Sequence, residues 1–315
     1  MSDSSNEARR QKVPKNLDTA SDSLERHHHA HDGERASGEL KSQKARNATE
    51  KFLTRALSGT VYVLVILACL FGGKIPTMVL VACMAWLCCS EFFRMSRLGG
   101  RMPNELIGLA AAAVYPVAAL MHPEAETGVT LLLIVAVGVW YVLTPRANIS
   151  DAAMTVFGAA YTGLLYSSIV TIRASDPGVD GALLTLGIMG SVWVNDAFAY
   201  IFGSAFGKHK MAPRISPNKS WEGFFGGLLG SCLIWLIVVA LGIRGIQWPL
   251  AILCGILCGI AGVIGDLFES RLKRAAGVKD TGNLIPGHGG MLDRSDSMLF
   301  ATMTAYFVLH YGGIL

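Results

Sequence analysis

Nine apolar stretches, each of about 17 to 22 residues, follow one another along this chain after its first 50 residues. A helix of that length crosses the hydrocarbon core of a bilayer. The stretches lie near residues 54–72, 75–93, 105–121, 128–144, 152–172, 182–203, 222–243, 247–266 and 296–313. Composition agrees, since 52% of the residues are hydrophobic and only 16% are charged. We therefore predict an all-α fold, a polytopic transmembrane helical bundle.

The basic residues are unevenly distributed over the loops between these stretches. Eighteen Lys and Arg residues lie beyond residue 50, and fifteen of them fall on inside loops if the N-terminus is cytoplasmic. Only Lys74, Arg173 and Arg244 then fall outside. Because Lys and Arg are enriched in cytoplasmic loops, this ratio favours one orientation. We predict about nine spans, with the N-terminus in and the C-terminus out.

The chain divides into three predicted regions. Residues 1–50 hold nine basic and nine acidic residues and almost no large apolar ones, so we expect a disordered polar cytoplasmic tail. Its run His27 to His29, with His31, is better explained as a solvated polar tract than as a metal site. Residues 51–180 are expected to form N-terminal transmembrane helices with almost no ionisable side chains. Residues 181–315 are expected to form a C-terminal transmembrane catalytic region.

Several classes of function do not fit this composition. The formal net charge of +4 is too small and too dispersed for a nucleic-acid partner. The seven cysteines lie in apolar segments without Cys-x-x-Cys pairing, so neither a disulfide framework nor a zinc site is expected. Glycines recur at helix-packing spacing on two consecutive spans, at Gly223, Gly226, Gly227 and Gly230 and at Gly255, Gly259 and Gly262. We interpret these glycines as sites of close helix contact.

Polar residues suited to chemistry concentrate in the last third of the chain, on the predicted cytoplasmic side. Asp196 follows Asn195 inside an apolar stretch, and an unpaired carboxylate there costs about 3 kcal/mol. It is therefore expected to face the bundle interior and to meet a cation or a lysine. A basic loop at 207–223 contains the run Ser216-Pro217-Asn218-Lys219-Ser220 just before a span. Hydroxyl groups and an ammonium beside a helix N-terminus suit a phosphate.

The densest cluster, residues 265–296, interleaves carboxylates with cations. Asp266 and Asp293 flank a loop, and Asp296 follows Asp293 by one helical turn, so the three are expected to converge on one Mg²⁺. The cations expected to neutralise phosphate charge are Lys273, Arg274, Lys279 and Arg294. The loop also contains Gly287, Gly289 and Gly290, which let backbone N–H groups approach oxyanions, and His288, an expected hydrogen-bond donor.

These residues resemble the signature of the phosphatidate cytidylyltransferases, also called CDP-diacylglycerol synthases. The matching positions are Ser270 to Arg274, Lys279-Asp280, Gly282, Ile285 to Arg294 and Asp296. Ser295 departs from the family pattern, which usually has an aliphatic residue or threonine there, but this change removes no ligand. Two further segments, Asp196 to Tyr200 and Ser216 to Gly223, are similar to other common segments of the family. The resemblance covers roughly residues 190 to 300.

The resemblance implies an enzyme that transfers the cytidylyl group of CTP to phosphatidate, forming CDP-diacylglycerol and pyrophosphate. The implied catalytic residues are Lys273, Arg274, Lys279, Asp280, His288 and Arg294. The implied substrate-binding residues are Asp196, Ser216, Asn218, Lys219, Ser220, Ser270, Gly287, Gly289 and Gly290. Asp266, Asp293 and Asp296 are expected to bind Mg²⁺, and the family suggests K⁺ as a candidate second cation.

The resemblance implies the substrates, and the apolar stretches and the distribution of basic residues predict the location. The expected partners are CTP, phosphatidic acid and the lipid bilayer, and a homodimer is one alternative for the oligomeric state. The expected location is the inner (cytoplasmic) membrane, with multiple spans and an active site that faces the cytoplasm.

Three other functions share part of this pattern. A CDP-alcohol phosphotransferase also uses membrane-side aspartates and a metal, but its Asp-Gly-x-x-Ala-Arg run is absent here. A CTP-dependent lipid kinase or archaeal-type cytidylyltransferase would share the chemistry but not the full signature. An ion-coupled transporter would explain Asp196 and Asp266 as cation ligands, but not the many cations and glycines beside them.

Overall fold

A computed structural model describes residues 53–122, 124–284 and 289–315 of the chain. Within these residues nine helices form: α1 Leu53–Gly72, α2 Lys74–Leu98, α3 Glu105–Met121, α4 Ala125–Leu143, α5 Ile149–Ala174, α6 Val179–Phe206, α7 Trp221–Ala240, α8 Trp248–Ala275 and α9 Asp296–Tyr311. Residues Leu57–Leu315 make one compact unit. The predicted tail at 1–50 lies outside the described residues, as do Gly287 and His288.

Each of the nine predicted apolar stretches coincides with one of these helices, so the predicted fold class is confirmed. Seven of the described helices are long and apolar enough to cross a membrane, whereas α3 has 17 residues and α9 has 16. Large apolar side chains point away from the protein on α4, where Leu132 is 71% exposed and Val142 78% exposed. The chain is a polytopic helical membrane protein. The count of nine spans, their orientation and the division of the chain at residue 180 stay predictions.

Helices α6, α7 and α8 pack at the glycines expected to mediate helix contact. A Cβ atom on Gly226 would lie 2.5 Å from the side chain of Phe202 on α6. A Cβ atom on Gly255 would lie 2.7 Å from the Cα atom of Cys232 on α7. Both distances are shorter than any side chain tolerates, so the absence of a Cβ atom sets the helix separation. These contacts confirm the helix-packing interpretation.

Helix α8 extends beyond the predicted end of its apolar stretch. The sequence predicted a loop from residue 267, but the helix continues to Ala275, and that boundary was wrong. Residues 267–275 are mostly strong helix formers, and the ammonium of Lys273 lies 2.5 Å from the carboxylate of Glu269 one turn earlier. The extension places Asp266, Ser270 and Lys273 on one helical face.

A short hairpin precedes α7 where the sequence predicted only a loop. Strand β1, Lys210–Ala212, pairs antiparallel with β2, Ser216–Ser220. The turn between them contains Pro213, whose fixed φ favours the second position of a turn. Ser220 ends β2 and caps α7, because its hydroxyl oxygen accepts a hydrogen bond from Gly223 N at 3.2 Å.

Two of the three basic residues predicted to lie outside, Arg173 and Arg244, belong to a polar network at the end of the bundle away from the hairpin. The buried Arg173 donates from Nε to the carbonyl oxygen of Leu70 and from Nη1 to that of Asp176, both at 2.8 Å. Arg244 lies 3.2 Å from the Asp176 carboxylate and donates to the carbonyl oxygen of Ile314. These contacts give both cations a structural role at an end where few cations are expected.

Candidate active site

A cleft of about 450 Å³ opens where α6, the hairpin, α7, α8 and the start of α9 meet. Its lining combines apolar side chains with polar and charged ones. The apolar residues of the lining are Ala199, Tyr200, Met211, Phe224 and Val263. The polar and charged residues of the lining are Asp196, Asn218, Lys219, Ser220, Asp266, Lys273, Asp280, Asp293, Arg294, Asp296 and Ser297. A cleft of this kind can accept a molecule with a charged head and an apolar body.

Three carboxylates from three different helices face this cleft. Asp196 on α6, Asp266 on α8 and Asp296 on α9 are close enough that each repels the other two. Lys219 of β2 offsets part of this charge, with its ammonium 2.7 Å from Asp266 Oδ2. Ser270 donates to the other oxygen of Asp266 at 3.2 Å. The arrangement leaves net negative charge, which favours a cation.

Asp293 is held more tightly than any of these three. Its Oδ1 lies 2.8 Å from Lys273 Nζ, and its Oδ2 accepts from Gly290 N at 2.8 Å, Thr281 N at 2.9 Å and Thr281 Oγ1 at 3.0 Å. Burial alone would raise the pKa of this carboxyl, but Lys273 and the Gly290 N–H outweigh burial and lower the pKa to about 2. Asp293 therefore stays ionised and fixes the loop before α9.

Lys273 bridges two carboxylates instead of standing free in the cleft. Its ammonium contacts Glu269, whose side chain is fully buried, as well as Asp293. The ammonium donates a hydrogen bond to Asp293 and forms an ion pair with Glu269, and Lys273 also belongs to the cleft lining.

The structure does not bring every predicted site residue to the cleft. Arg274, Lys279 and Ser216 do not line the cleft. Arg274 and Lys279 are exposed, and Arg274 donates to the carbonyl oxygen of Val278. Ser216 begins strand β2. The N–H of Gly290 already donates to Asp293. Gly289 has a φ of 86°, a left-handed conformation that favours glycine. His288 and Gly287 lie outside the described residues.

Sequence reasoning missed Glu91, near the end of α2. Its carboxylate is buried and accepts hydrogen bonds from Thr281, Met291 and Leu292, which lie on both sides of the predicted signature loop. The available signal was a glutamate at the end of an apolar stretch in a region with almost no ionisable residue.

Within the described residues, no group of three or more His, Cys, Asp or Glu side chains forms a ready metal-binding cluster. The three cleft carboxylates nevertheless carry the oxygen chemistry that Mg²⁺ prefers, and Mg²⁺ usually completes its shell with water and substrate phosphates. The donor set therefore fits a hard divalent cation bound together with a phosphate ligand.

Comparisons with known proteins agree with the resemblance seen in the signature. A model of the cytidylyltransferase family matches residues 53–312. The phosphatidate cytidylyltransferase of Bacillus subtilis is 31% identical over 261 residues, covering 81% of this chain and 96% of the relative. That of Staphylococcus epidermidis is 32% identical over 78% of this chain and 94% of the relative. That of a Synechocystis strain is 33% identical over 73% and 87%. The match thus extends well before residue 190, into helices for which the motifs gave no information.

Proposed function

The chain belongs to the cytidylyltransferase family and is an enzyme, and from that premise we propose that it joins CTP to phosphatidate. The products are CDP-diacylglycerol and pyrophosphate. The observation that carries the proposal is the family match over residues 53–312, which includes every side chain of the cleft. The cleft supports it because its lining contains both charged and apolar side chains, as a phospholipid substrate requires.

The reaction needs little acid–base chemistry from the protein. A phosphate oxygen of phosphatidate attacks the α-phosphorus of CTP, and the bond from that phosphorus to the bridging oxygen of the β-phosphate breaks. The electron pair leaves with pyrophosphate. Phosphatidate is already anionic near neutral pH, so the main barrier is the approach of two anions. The protein lowers it by holding both phosphates beside Lys219, Lys273 and Arg294.

The carboxylates of the cleft are assigned to Mg²⁺, with K⁺ as a candidate second cation. Asp266 and Asp296 would supply ligand oxygens, with Asp196 close to both. Asp293 Oδ2 already accepts three hydrogen bonds, so any ligand oxygen from Asp293 would be Oδ1. When bound, the divalent ion would neutralise phosphate charge and polarise the α-phosphate.

The remaining predicted residues keep supporting roles in this proposal. Asn218 and Ser220 line the cleft next to Lys219 and would donate to a phosphate oxygen. Ser270 orients Asp266 through their 3.2 Å hydrogen bond. Asp280 lies at the exposed rim, beside which Lys279 and Arg274 would attract anionic nucleotide from solution.

The cleft is proposed to open toward the cytoplasm in the inner membrane. Fifteen of the eighteen basic residues beyond residue 50 fall on the same side under this orientation, and CTP is too highly charged to cross a bilayer unaided. A homodimer stays a prediction.

The decisive assay mixes the purified protein in vesicles with labelled CTP and phosphatidic acid. We expect label to enter the lipid fraction in the presence of Mg²⁺, and this transfer to stop with a chelator. Lys219→Met should raise the KM for a substrate about tenfold or more, because a lost ammonium–phosphate contact costs about 1.5–3 kcal/mol. Lys210→Met, on the exposed part of the same hairpin, is the matched control. No lipid labelling together with cation-driven solute uptake would instead establish the transporter alternative.

A further inference from the structure

Glu91 connects the second helix of the chain to a loop roughly 200 residues later. Glu91 is buried, with 8% of its surface exposed. Oε2 accepts hydrogen bonds from Thr281 Oγ1 and Leu292 N, both at 2.8 Å, and Oε1 accepts from Met291 N at 2.9 Å. One carboxylate thus holds both sides of the segment between α8 and α9.

Two glycines of this segment pack directly against the same carboxylate. A Cβ atom on Gly282 would lie 2.5 Å from Glu91 Oε1, and one on Gly290 would lie 2.6 Å from the same oxygen. A Cβ atom on Gly290 would also meet the hydroxyl oxygen of Thr281, so this position is crowded by both side chains. The two glycines of the signature thus leave room for the Glu91 carboxylate and the Thr281 hydroxyl.

Thr281 carries the effect of Glu91 to Asp293. The Thr281 hydroxyl lies between Glu91 Oε2 and Asp293 Oδ2, at 2.8 and 3.0 Å, and its N–H donates to Asp293 at 2.9 Å. Since a hydroxyl has one hydrogen, it donates to one of the two carboxylates at a time. Arg94, one turn after Glu91 on α2, donates to the carbonyl oxygen of Thr281. Thr281 is therefore held at three atoms and is fully buried.

We propose that Glu91 is a positioning residue, which anchors the segment around Thr281 and Met291 to α2 and thereby aims Asp293, Arg294 and Asp296 into the cleft. Glu91 itself does not line the cleft. The anchoring follows from the contacts alone, whereas its effect on turnover rests on the proposed function. Reactions of this type lose rate steeply when reacting groups are displaced by about 1 Å.

The first test replaces Glu91 with glutamine. The amide retains one acceptor oxygen but directs an NH₂ group at either Met291 N–H or the Thr281 and Leu292 donors, so the three contacts cannot all form. We expect kcat to fall about tenfold to a hundredfold. The KM for phosphatidate should change less than kcat, because the apolar residues of the cleft lining come from other elements. Amide hydrogen exchange of the peptide 289–296 should become faster.

Ser96→Ala is the matched control. Ser96 is similarly buried on α2, at 6% exposure, but among the described residues its hydroxyl bonds only to the carbonyl oxygen of Phe92 in its own helix, at 3.0 Å. A general loss of α2 packing would affect both variants, whereas the proposal predicts that only Glu91→Gln changes kcat and the exchange of 289–296.

Thr281→Val provides a test that does not depend on the folding of Glu91→Gln. Valine preserves the shape of threonine but removes the hydroxyl between Glu91 and Asp293. It should reproduce the fall in kcat, and the Glu91→Gln/Thr281→Val double variant should be no slower than the slower single variant. Thr281→Ser, which restores the hydroxyl, should recover most of the wild-type kcat.

Wild-type kcat in either Glu91→Gln or Thr281→Val would overturn the proposal, and so would independent, multiplying losses in the double variant. If the wild-type protein transfers no cytidylyl group at all, the proposed function fails separately. In that case faster exchange of 289–296 in Glu91→Gln, but not in Ser96→Ala, would still support the anchor, and unchanged exchange would refute it.

Discussion

Replacing Asp293 with asparagine tests the loop before α9 more directly than any other single change. The pKa of this carboxyl falls from its usual 3.8 to about 2, which corresponds to about 2.5 kcal/mol of stabilisation of the charged form. The side chain is only 5% exposed, so little of this is lost to solvent screening. The asparagine NH₂ group would also face N–H or ammonium donors, which adds roughly 1–3 kcal/mol to the destabilisation of the folded protein. We expect a clearly lower Tm and turnover close to zero.

The measurement combines thermal unfolding in detergent with the lipid-labelling assay. Asp180→Asn is the control, because Asp180 is an exposed acid in the first turn of α6 and lies outside the cleft lining. That variant should match the wild type in both measurements. An Asp293→Asn protein with wild-type Tm and turnover would refute the role assigned to the four hydrogen bonds of Asp293.

The pH dependence of Tm, compared between the wild type and Asp293→Asn, provides a second check. A carboxyl whose pKa is lowered by folding contributes its full stability above its unfolded pKa, and this contribution is lost as the pH falls toward the folded pKa. The Tm difference between wild type and Asp293→Asn should therefore be constant above about pH 5 and shrink from about pH 4 to pH 2. A difference that grows on acidification would contradict the reasoning.

Three further predictions concern the tail, the topology and helix packing. Deleting residues 2 to 45 should leave specific activity within about threefold, because untethered polar termini are generally dispensable, and a collapse of turnover would contradict this. In a background without the seven native cysteines, Asn283→Cys should react with an impermeant maleimide only from the cytoplasmic side, and Gln247→Cys only from outside. Labelling of position 283 in intact cells would overturn the predicted orientation. Gly265→Ala should destabilise the fold by about 1–3 kcal/mol, because its Cβ atom would meet the carbonyl oxygen of Asp296. A Cβ atom on Gly128 of α4 would meet no other atom, so Gly128→Ala should be neutral. Equal Tm values for the two variants would disprove the contact at Gly265.

The helices were readable from the sequence because span length and apolarity are local properties of the chain. Each predicted stretch became a helix, and the signature contains five residues of the cleft lining, Lys273, Asp280, Asp293, Arg294 and Asp296. The end of α8 was misjudged, since the prediction followed hydropathy, whereas the helix continues on propensity and the Glu269–Lys273 pair. The hairpin at 210–220 was missed because short strands depend on their pairing partner, which a motif search does not consider.

The sequence by itself determined that the chain crosses a membrane as helices, that its chemistry lies in the last third, and which family its signature resembles. The tertiary structure decided which charges meet. It paired Lys219 with Asp266, committed Lys273 to two carboxylates, and placed Glu91 against Thr281 and Gly290. The first of these relations joins β2 to α8, and the others join α2 and α8 to the loop before α9. A linear pattern fixes what each residue can do, but the partner of a buried charge is set by helix packing, since burial removes water as the alternative partner.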